Sequence, residues 1–559
     1  MMYMNPAVRR KLFLFLAGLM PVVGVMAQDD SVTTRFRLRD FSFVKAVNPW
    51  LTSDNAAGLT RFNQRNIATA EVNYEFLKGG LVNYDQSPRV ISLGADAEAF
   101  HRLGRRFALY GKISYNSYSG HAMAGSAFID TERLPFNLVE DSLTNLGKKY
   151  KDTYHLIGGV GVDVWKGLSI GAKLDYTAAN MAKYKDLRHK TKLMNMVFTL
   201  GATYRTGIFT LGADYFYRRN TQTITFSTYG KTEKDYYTLV DYGIFTGRPE
   251  YFGLDGFTDK SREMPLLNDY QGGGVQLGIA ITPRLYFYNA FRAAHRDGYY
   301  GRKSPYTITF TNHTGDTYRY DANLSLRLPA SRHVLRFTLD AEDMENYMTT
   351  RQNLTNDLGA TYYEYFTPVK SANKLWVNTN VDYSAWFGPN LNTSVTAGVN
   401  LMHRKQTVYY YPYYRRQNIR SNEYYLQGQY NHFLRKGFLT FLVRGSYAYG
   451  QGEPYEQGLY EAAPQMSTTV TPPEMTDYLY REYQYLTANQ YAVKGSVTYT
   501  FPFLKRQPDL LLYVRGDVDH RKANGLPQNV TDADGNLTIG NCLTGRDRLQ
   551  LRLAVGCHF

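Results

Sequence analysis

Cysteine is nearly absent, with two in 559 residues. That excludes a disulfide scaffold. Long apolar runs are missing as well. Beyond residue 30 nothing approaches the roughly 20 consecutive apolar residues of a spanning helix, and mean hydropathy is −0.43, so a helical membrane protein is excluded. Tryptophan is scarce at four, yet 50 Tyr and 30 Phe raise the aromatic share to 15%. Disordered chains are poor in such residues, so disorder is excluded too. What remains is a large β-rich protein, either secreted and multidomain or a membrane barrel, and periodicity decides between them.

Residues 1–27 read as a secretory signal. Arg9, Arg10 and Lys11 precede an apolar stretch from Leu12 to Met26, and Val25-Met26-Ala27 offers a small-residue cleavage site. Its removal takes away three cations and leaves a net charge of +12. Residues 28–66 form an N-terminal segment, either a periplasmic tail or a piece entering the lumen. Thirty-nine residues are too few for the plug domain of an energy-coupled receptor. The barrel occupies 67–559.

The clearest strand is the last. Leu549, Leu551, Leu553, Val555, Cys557 and Phe559 share one face, and Arg548, Gln550, Arg552, Ala554, Gly556 and His558 the other. Apolar-out, polar-in alternation over about ten residues is what a transmembrane β-strand requires. Phe559, a terminal aromatic, resembles the assembly signal read by the barrel assembly machinery. The strands read this way are 67–76, 89–101, 106–117, 153–164, 168–178, 192–204, 208–219, 273–282, 285–295, 317–328, 333–342, 374–386, 391–403, 421–432, 438–449, 489–502, 510–520 and 547–559, with 285–295 alternating poorly. The fold class is therefore all-β, an antiparallel transmembrane barrel of about 18 strands, with 16 or 20 as alternatives. Short links such as Gly104-Arg105, Trp165-Lys166-Gly167 and Pro283-Arg284 alternate with long connections at 118–152, 220–272, 296–316, 343–373, 450–488 and 521–546. That asymmetry places the short turns on the periplasmic side. An even, closed sheet leaves no unpaired edge in hydrocarbon.

The inward faces mix signs. Lys112, Lys173, Arg327, Arg336, Arg444, Lys494, Arg515, Arg548 and Arg552 are expected to line the lumen with Asp96, Glu98, Asp163, Asp175, Asp214, Asp321, Asp340 and Asp382. Such rows either set a transverse field across a pore or pair and block it. Residues 408–416 carry Tyr409, Tyr410, Tyr411, Tyr413, Tyr414, Arg415 and Arg416, a candidate ligand loop for a sugar, peptide or protein; a self-packed loop over the mouth is the plainer alternative. No catalytic, cofactor or metal site emerges. Asp517 and Asp519 face inward but His520 outward, so they form no acid–histidine pair. The run Asp340 to Glu345 lacks the glycine and spacing of a Ca²⁺ loop, and G-x-S-x-G is missing. Cys542 and Cys557 are fifteen mostly extended residues apart, too far for the Cα separation of about 7 Å a disulfide allows.

Four stretches, Val72–Tyr84, Tyr110–Tyr118, Phe128–Asp130 and Leu168–Asn180, are similar to an uncharacterised family of outer-membrane β-barrel proteins of Bacteroidetes-type Gram-negative bacteria. The resemblance implies fold and outer-membrane location and assigns no activity. The expected partners are outer-membrane lipid and lipopolysaccharide, whose phosphates suit the positive charge, the assembly machinery, and a surface lipoprotein. Nucleic acid is not expected, because the cations are spread around the barrel. The expected function is a non-enzymatic channel or transport component without an energy-coupling plug. The alternative is an occluded barrel whose loops bind a surface lipoprotein or host ligand, with an outer-membrane hydrolase third.

Overall fold

The computed structural model describes residues 41–62, 66–140, 145–229, 236–252, 264–304, 307–388, 390–459, 475–504, 507–524 and 542–559. The leader at 1–27 lies outside them.

Eighteen strands close into one barrel: β1 Ile67–Gly79, β2 Arg89–Leu103, β3 Phe107–Met123, β4 Gly147–Trp165, β5 Leu168–Lys183, β6 Arg188–Thr206, β7 Phe209–Ser227, β8 Met264–Ala280, β9 Leu285–Ser304, β10 Thr307–Arg327, β11 Ser331–Met348, β12 Val369–Phe387, β13 Thr393–Tyr410, β14 Tyr413–Leu434, β15 Gly437–Gly452, β16 Gln490–Leu504, β17 Gln507–Ala523 and β18 Asp547–His558. Each pairs antiparallel with its neighbours in sequence. The seam closes where β1 meets β18, from Thr69 opposite His558 to Gly79 opposite Arg548. Phe559 extends the seam, exchanging backbone hydrogen bonds with Ala68 at 2.7 and 3.0 Å.

The exterior carries the apolar half of the alternation. Leu551, Leu553 and Val555 of β18, Val493 and Val497 of β16, and Val514 and Val518 of β17 are all exposed. Exposed side chains of this kind need a lipid solvent, and together they make the chain an outer-membrane-type β-barrel. Outward tyrosines such as Tyr115 beside Tyr154 (5.1 Å) and Tyr447 beside Tyr491 (5.0 Å) contribute the aromatic ring surface of an interface. The link after β4 turns through Gly167 at φ +82°, a backbone open to glycine at little cost.

At the short-turn end the strands finish close to where the alternation stops. At the other end they run much further. β9 and β10 continue through the expected loop 296–316 and are joined by two residues. β13 and β14 likewise extend to Tyr410 and Tyr413, so the candidate ligand loop is the tip of a strand hairpin, with a turn at 411–412. Residues 343–373 include a small hairpin, Arg351–Thr355 paired with Thr361–Tyr365. Only about ten tilted residues cross the bilayer. Beyond it both faces meet water or protein, so the polar–apolar signature fades while backbone pairing continues.

The connections expected as long loops at 118–152 and 220–272 turn inward. Their strands Asn137–Glu140, Tyr236–Gly243 and Thr246–Phe252 form a three-stranded sheet inside the barrel mouth.

Candidate functional site

Eighteen strands enclose a lumen wide enough for an aqueous channel unless the chain fills it. Several segments enter it here, and two of them face each other across its centre. The first is 41–62, with helices Phe41–Val47 and Pro49–Thr52 and a 3₁₀ turn Ala56–Arg61. Pro49 at the first helical position presets φ. Asn55 caps the 3₁₀ turn, its Oδ1 accepting from the Ala57 amide at 3.1 Å. The fully buried Asn55 amide donates to the Ala202 and Ala213 carbonyls at 3.0 and 3.1 Å and to Gln276 Oε1 at 2.9 Å, tying the segment to β6, β7 and β8.

The trough that receives this turn is made of glycine. Gly161 of β4 stands opposite Gly171 of β5, and Gly171 opposite Gly201 of β6. A Cβ at Gly171 would overlap the Ala57 amide nitrogen, and one at Gly201 the Asn55 side chain. Trp50 anchors the far side, donating from Nε1 to the Tyr286 hydroxyl at 2.6 Å and meeting Tyr288 edge-on at 5.0 Å. Asp54 bridges Lys173 at 3.1 Å and Arg292 at 2.9 Å, with Arg319 at 4.0 Å. Burial pushes the Asp54 carboxyl up, but Lys173, Arg292 and Arg319 outweigh it and hold it at about 2.

The second segment closes the mouth. Residues 124–140 cross the lumen, pinned through their backbone from six strands. Lys149 (β4) donates to the Ala124 and Ser126 carbonyls, Thr191 (β6) to Ala127, Gln222 (β7) to Asp130, Arg296 (β9) to Arg133, Asn346 (β11) to Pro135 and Lys374 (β12) to Leu134 and Pro135. Phe128, Phe136, Leu239, Phe245, Tyr300 and Tyr478 build an apolar core here, Tyr478 coming from helix Thr476–Thr487. Glu140 lies fully buried among Lys149 at 2.7 Å, Lys183 in a very short contact, and His189 at 3.5 Å.

Between the two segments lies a chamber of about 460 Å³, with Asp54 on one side and residues 130–134 on the other. Its wall includes Lys173 and Asp175, both expected at the lumen, together with Arg218, Arg292, Arg296, Arg319 and Glu342. Asp214, Asp321, Arg336 and Asp382 line a neighbouring cavity of about 280 Å³ against Thr52–Asp54. Asp96, Glu98, Lys112, Arg515 and Arg552 line a third, of about 400 Å³, centred on Glu71. Glu71 accepts from Arg515 at 2.8 Å, Arg552 at 2.9 Å and the Tyr513 hydroxyl at 2.8 Å.

Arg444 lies over the Tyr425 ring at 3.9 Å, and Lys494 stands opposite it in register. Arg327 sits at the short-turn end, its amide on the Arg284 carbonyl. Asp163 pairs with Arg102 at 3.4 Å, Asp340 pairs with Arg133, and Arg548 borders a further cavity with Glu75. In the tyrosine hairpin, Tyr411 is 58% exposed. Arg415 is buried, donating to Thr246 Oγ1 at 3.1 Å and Gln457 Oε1 at 2.8 Å, whereas Arg416 lies over Tyr414. Tyr409, Tyr410 and Tyr413 complete the paired strand ends. Asp517 receives a bond from Arg515, and His520 faces outward. Glu342, in the acidic run, is buried against Arg296. Cys542 and Cys557 form no disulfide. Among the described residues no cluster of three or more His, Cys, Asp or Glu could hold a metal.

Asn55, Asp54, Glu140 and Arg296 were beyond sequence reasoning, which left 28–66 undecided and treated 118–152 and 296–316 as loops; Glu71 was readable from the alternation of 67–76, with Val72 and Tyr74 outward, but was missed. Arg218 carried a signal: Tyr215 and Tyr217 outward put even positions of β7 inward.

A model of the family described as of unknown function, DUF6850, matches residues 56–559, and the chain belongs to that family. No curated protein matches it in sequence. Among solved structures it is similar to BauA, the ferric preacinetobactin receptor of Acinetobacter baumannii, at 9% identity, covering 88% of this chain and 81% of that one with a TM-score of 0.39. The FrpB iron transporter of Neisseria meningitidis gives 12% identity, 91% and 83% coverage and a TM-score of 0.35. CymD, a monoaromatic hydrocarbon channel, gives 9%, 92% of each chain and 0.27.

Proposed function

We propose that this family member is a non-enzymatic transport component of the outer membrane, exported through its N-terminal leader, whose lumen is gated by two of its own segments. One observation supports the reading above others: 41–62 and 124–140 block the lumen from opposite ends and leave a solvent-sized chamber between them. A purely structural barrel gains nothing from a polar void, since buried charge is expensive unless paired. The inward segment is short, so the route needs no receptor-type plug domain. Lipopolysaccharide around the rim and the assembly machinery at the β18 seam are its proposed partners.

Planar-bilayer recording tests the gate. The native chain is expected to give no stepwise current. A variant lacking 41–62, with 124–140 and 236–252 each replaced by a short Gly–Ser link, is expected to conduct in steps, its folding checked by heat-modifiable gel mobility. Spontaneous steps from the native chain would remove the gate. Silence from the doubly opened, folded variant would favour the second reading, an occluded barrel that binds a lipoprotein or host ligand. That reading draws on the 351–365 hairpin, where Leu358 is 93% exposed, and on the exposed Phe366 and Tyr411.

A further inference from the structure

Charges around the chamber cancel almost throughout. Asp54 takes Lys173 and Arg292, Asp321 takes Arg319 at 2.8 Å, Glu342 takes Arg296, and Asp340 takes Arg133. Among the described residues Asp175 meets only His155, at 2.8 Å, and three further charges are left over. Arg218 makes no ion pair among the described residues, and neither do the carboxylates of Asp130 and Glu132, which line the same void.

Arg218 is held ready. Its Nε donates to Asn195 Oδ1 at 2.8 Å and its guanidinium lies 4.8 Å from the Tyr270 ring centre, so the plane is fixed while the terminal nitrogens make no bond to the described chain. Two residues along the same inward face stands Asn220, 3% exposed. Its Oδ1 accepts from Asn268 Nδ2 at 3.2 Å, but its own Nδ2 has no partner among the described residues. A buried donor without an acceptor is costly, and a planar fork with two free donors matches a carboxylate bidentately. Asp130 is positioned by Gln222, whose Oε1 accepts from its amide at 3.0 Å, and Glu132 by its amide on Asp130 Oδ1 at 3.2 Å.

We propose that the chamber binds a small zwitterion, an amino acid or short peptide, with its carboxylate on Arg218 and Asn220 and its ammonium on Asp130 and Glu132. The proposal rests on the transport reading and supplies its solute class. A dianion would meet two unpaired carboxylates, a polyamine would meet Arg218, and a neutral sugar would leave all three charges unmatched. The volume of about 460 Å³ falls within the range usual for small-molecule sites.

Equilibrium dialysis of radiolabelled glycylglycine against the full chain in detergent tests this. Saturable binding at one site is expected, weakened at least tenfold by Arg218→Gln and by Asp130→Asn. Succinate and N-acetylglycylglycine should bind at least tenfold more weakly than glycylglycine. If either variant loses heat-modifiable mobility, Asn220→Leu replaces it, with the same weakening expected. No saturable binding by the native chain, equal binding by the folded variants, or a preference for either competitor overturns the assignment. Dialysis reads occupancy and bilayers read passage, so failure of the solute class is distinguishable from failure of the gate.

Discussion

Replacing Gly171 with leucine is expected to expel the 3₁₀ turn at Ala56–Arg61 from the lumen while the barrel stays closed. The added side chain would occupy the space of the Ala57 backbone, which cannot yield as a flexible side chain could. Overpacking costs roughly 1–3 kcal/mol even where neighbours can shift. Here relief requires undocking, which also breaks the three hydrogen bonds of the Asn55 amide. Trypsin cleavage after Arg61, now held over Trp50 at 5.0 Å, should accelerate at least tenfold. The matched control is Gly158→Leu. Gly158 is a neighbour of the trough in sequence, but a Cβ there meets nothing within 4 Å and points to the exterior. Equal cleavage of the two variants would mean that the glycine trough does not hold the segment.

At the mouth, Glu140→Ala should have the larger energetic effect. It leaves Lys149 and Lys183, 1% and 3% exposed, without their shared carboxylate. Breaking a buried pair by removing one partner costs about 3–5 kcal/mol, and here one anion serves two cations. Hydrogen exchange across 124–140 should rise at least a hundredfold at neutral pH, with barrel strands unaffected; exchange as slow as in the native chain would refute the latch.

Acid should reproduce the change. Burial pushes the Glu140 carboxyl up, but Lys149 first, with His189 and Lys183, holds it well below its ordinary 4.5. A depressed carboxyl stabilises the docked form above that value and loses the contribution as pH falls below it. The protection of 124–140, its exchange rate relative to the intrinsic rate at the same pH, should therefore fall as pH drops through the range beneath 4.5, and Glu140→Ala should abolish that change in protection.

Membrane-crossing parts of the fold were legible, because lipid imposes a period of two on side-chain polarity. Leu551, Leu553 and Val555 opposite Arg548 and Arg552 read as a strand without any neighbour in view. The barrel's upper extensions were not legible. No lipid faces β9 and β10 near Tyr299 and Tyr300, where Tyr300 packs into the core of the mouth instead, so their sequence resembles a loop although their backbones pair. The tyrosine hairpin hid for the same reason: its alternation separates a buried Arg415 from an exposed Arg416, not grease from water. Mixed charge on the inner face was visible. Which carboxylate meets which cation was not, since partners such as Asp54 and Arg292 stand 238 residues apart.

By itself, the sequence determined the class of solvent, the approximate number of strands and the face that side chains present within the bilayer, since these follow from local alternation and from the need to pair every backbone group in hydrocarbon. Only the tertiary structure decided what fills the lumen. Gly161, Gly171 and Gly201 mean nothing singly; registered side by side across three strands, they become a trough that fits one turn of the N-terminal segment. Packing and charge pairing inside the barrel depend on three-dimensional coincidence, and a one-dimensional period carries no record of it.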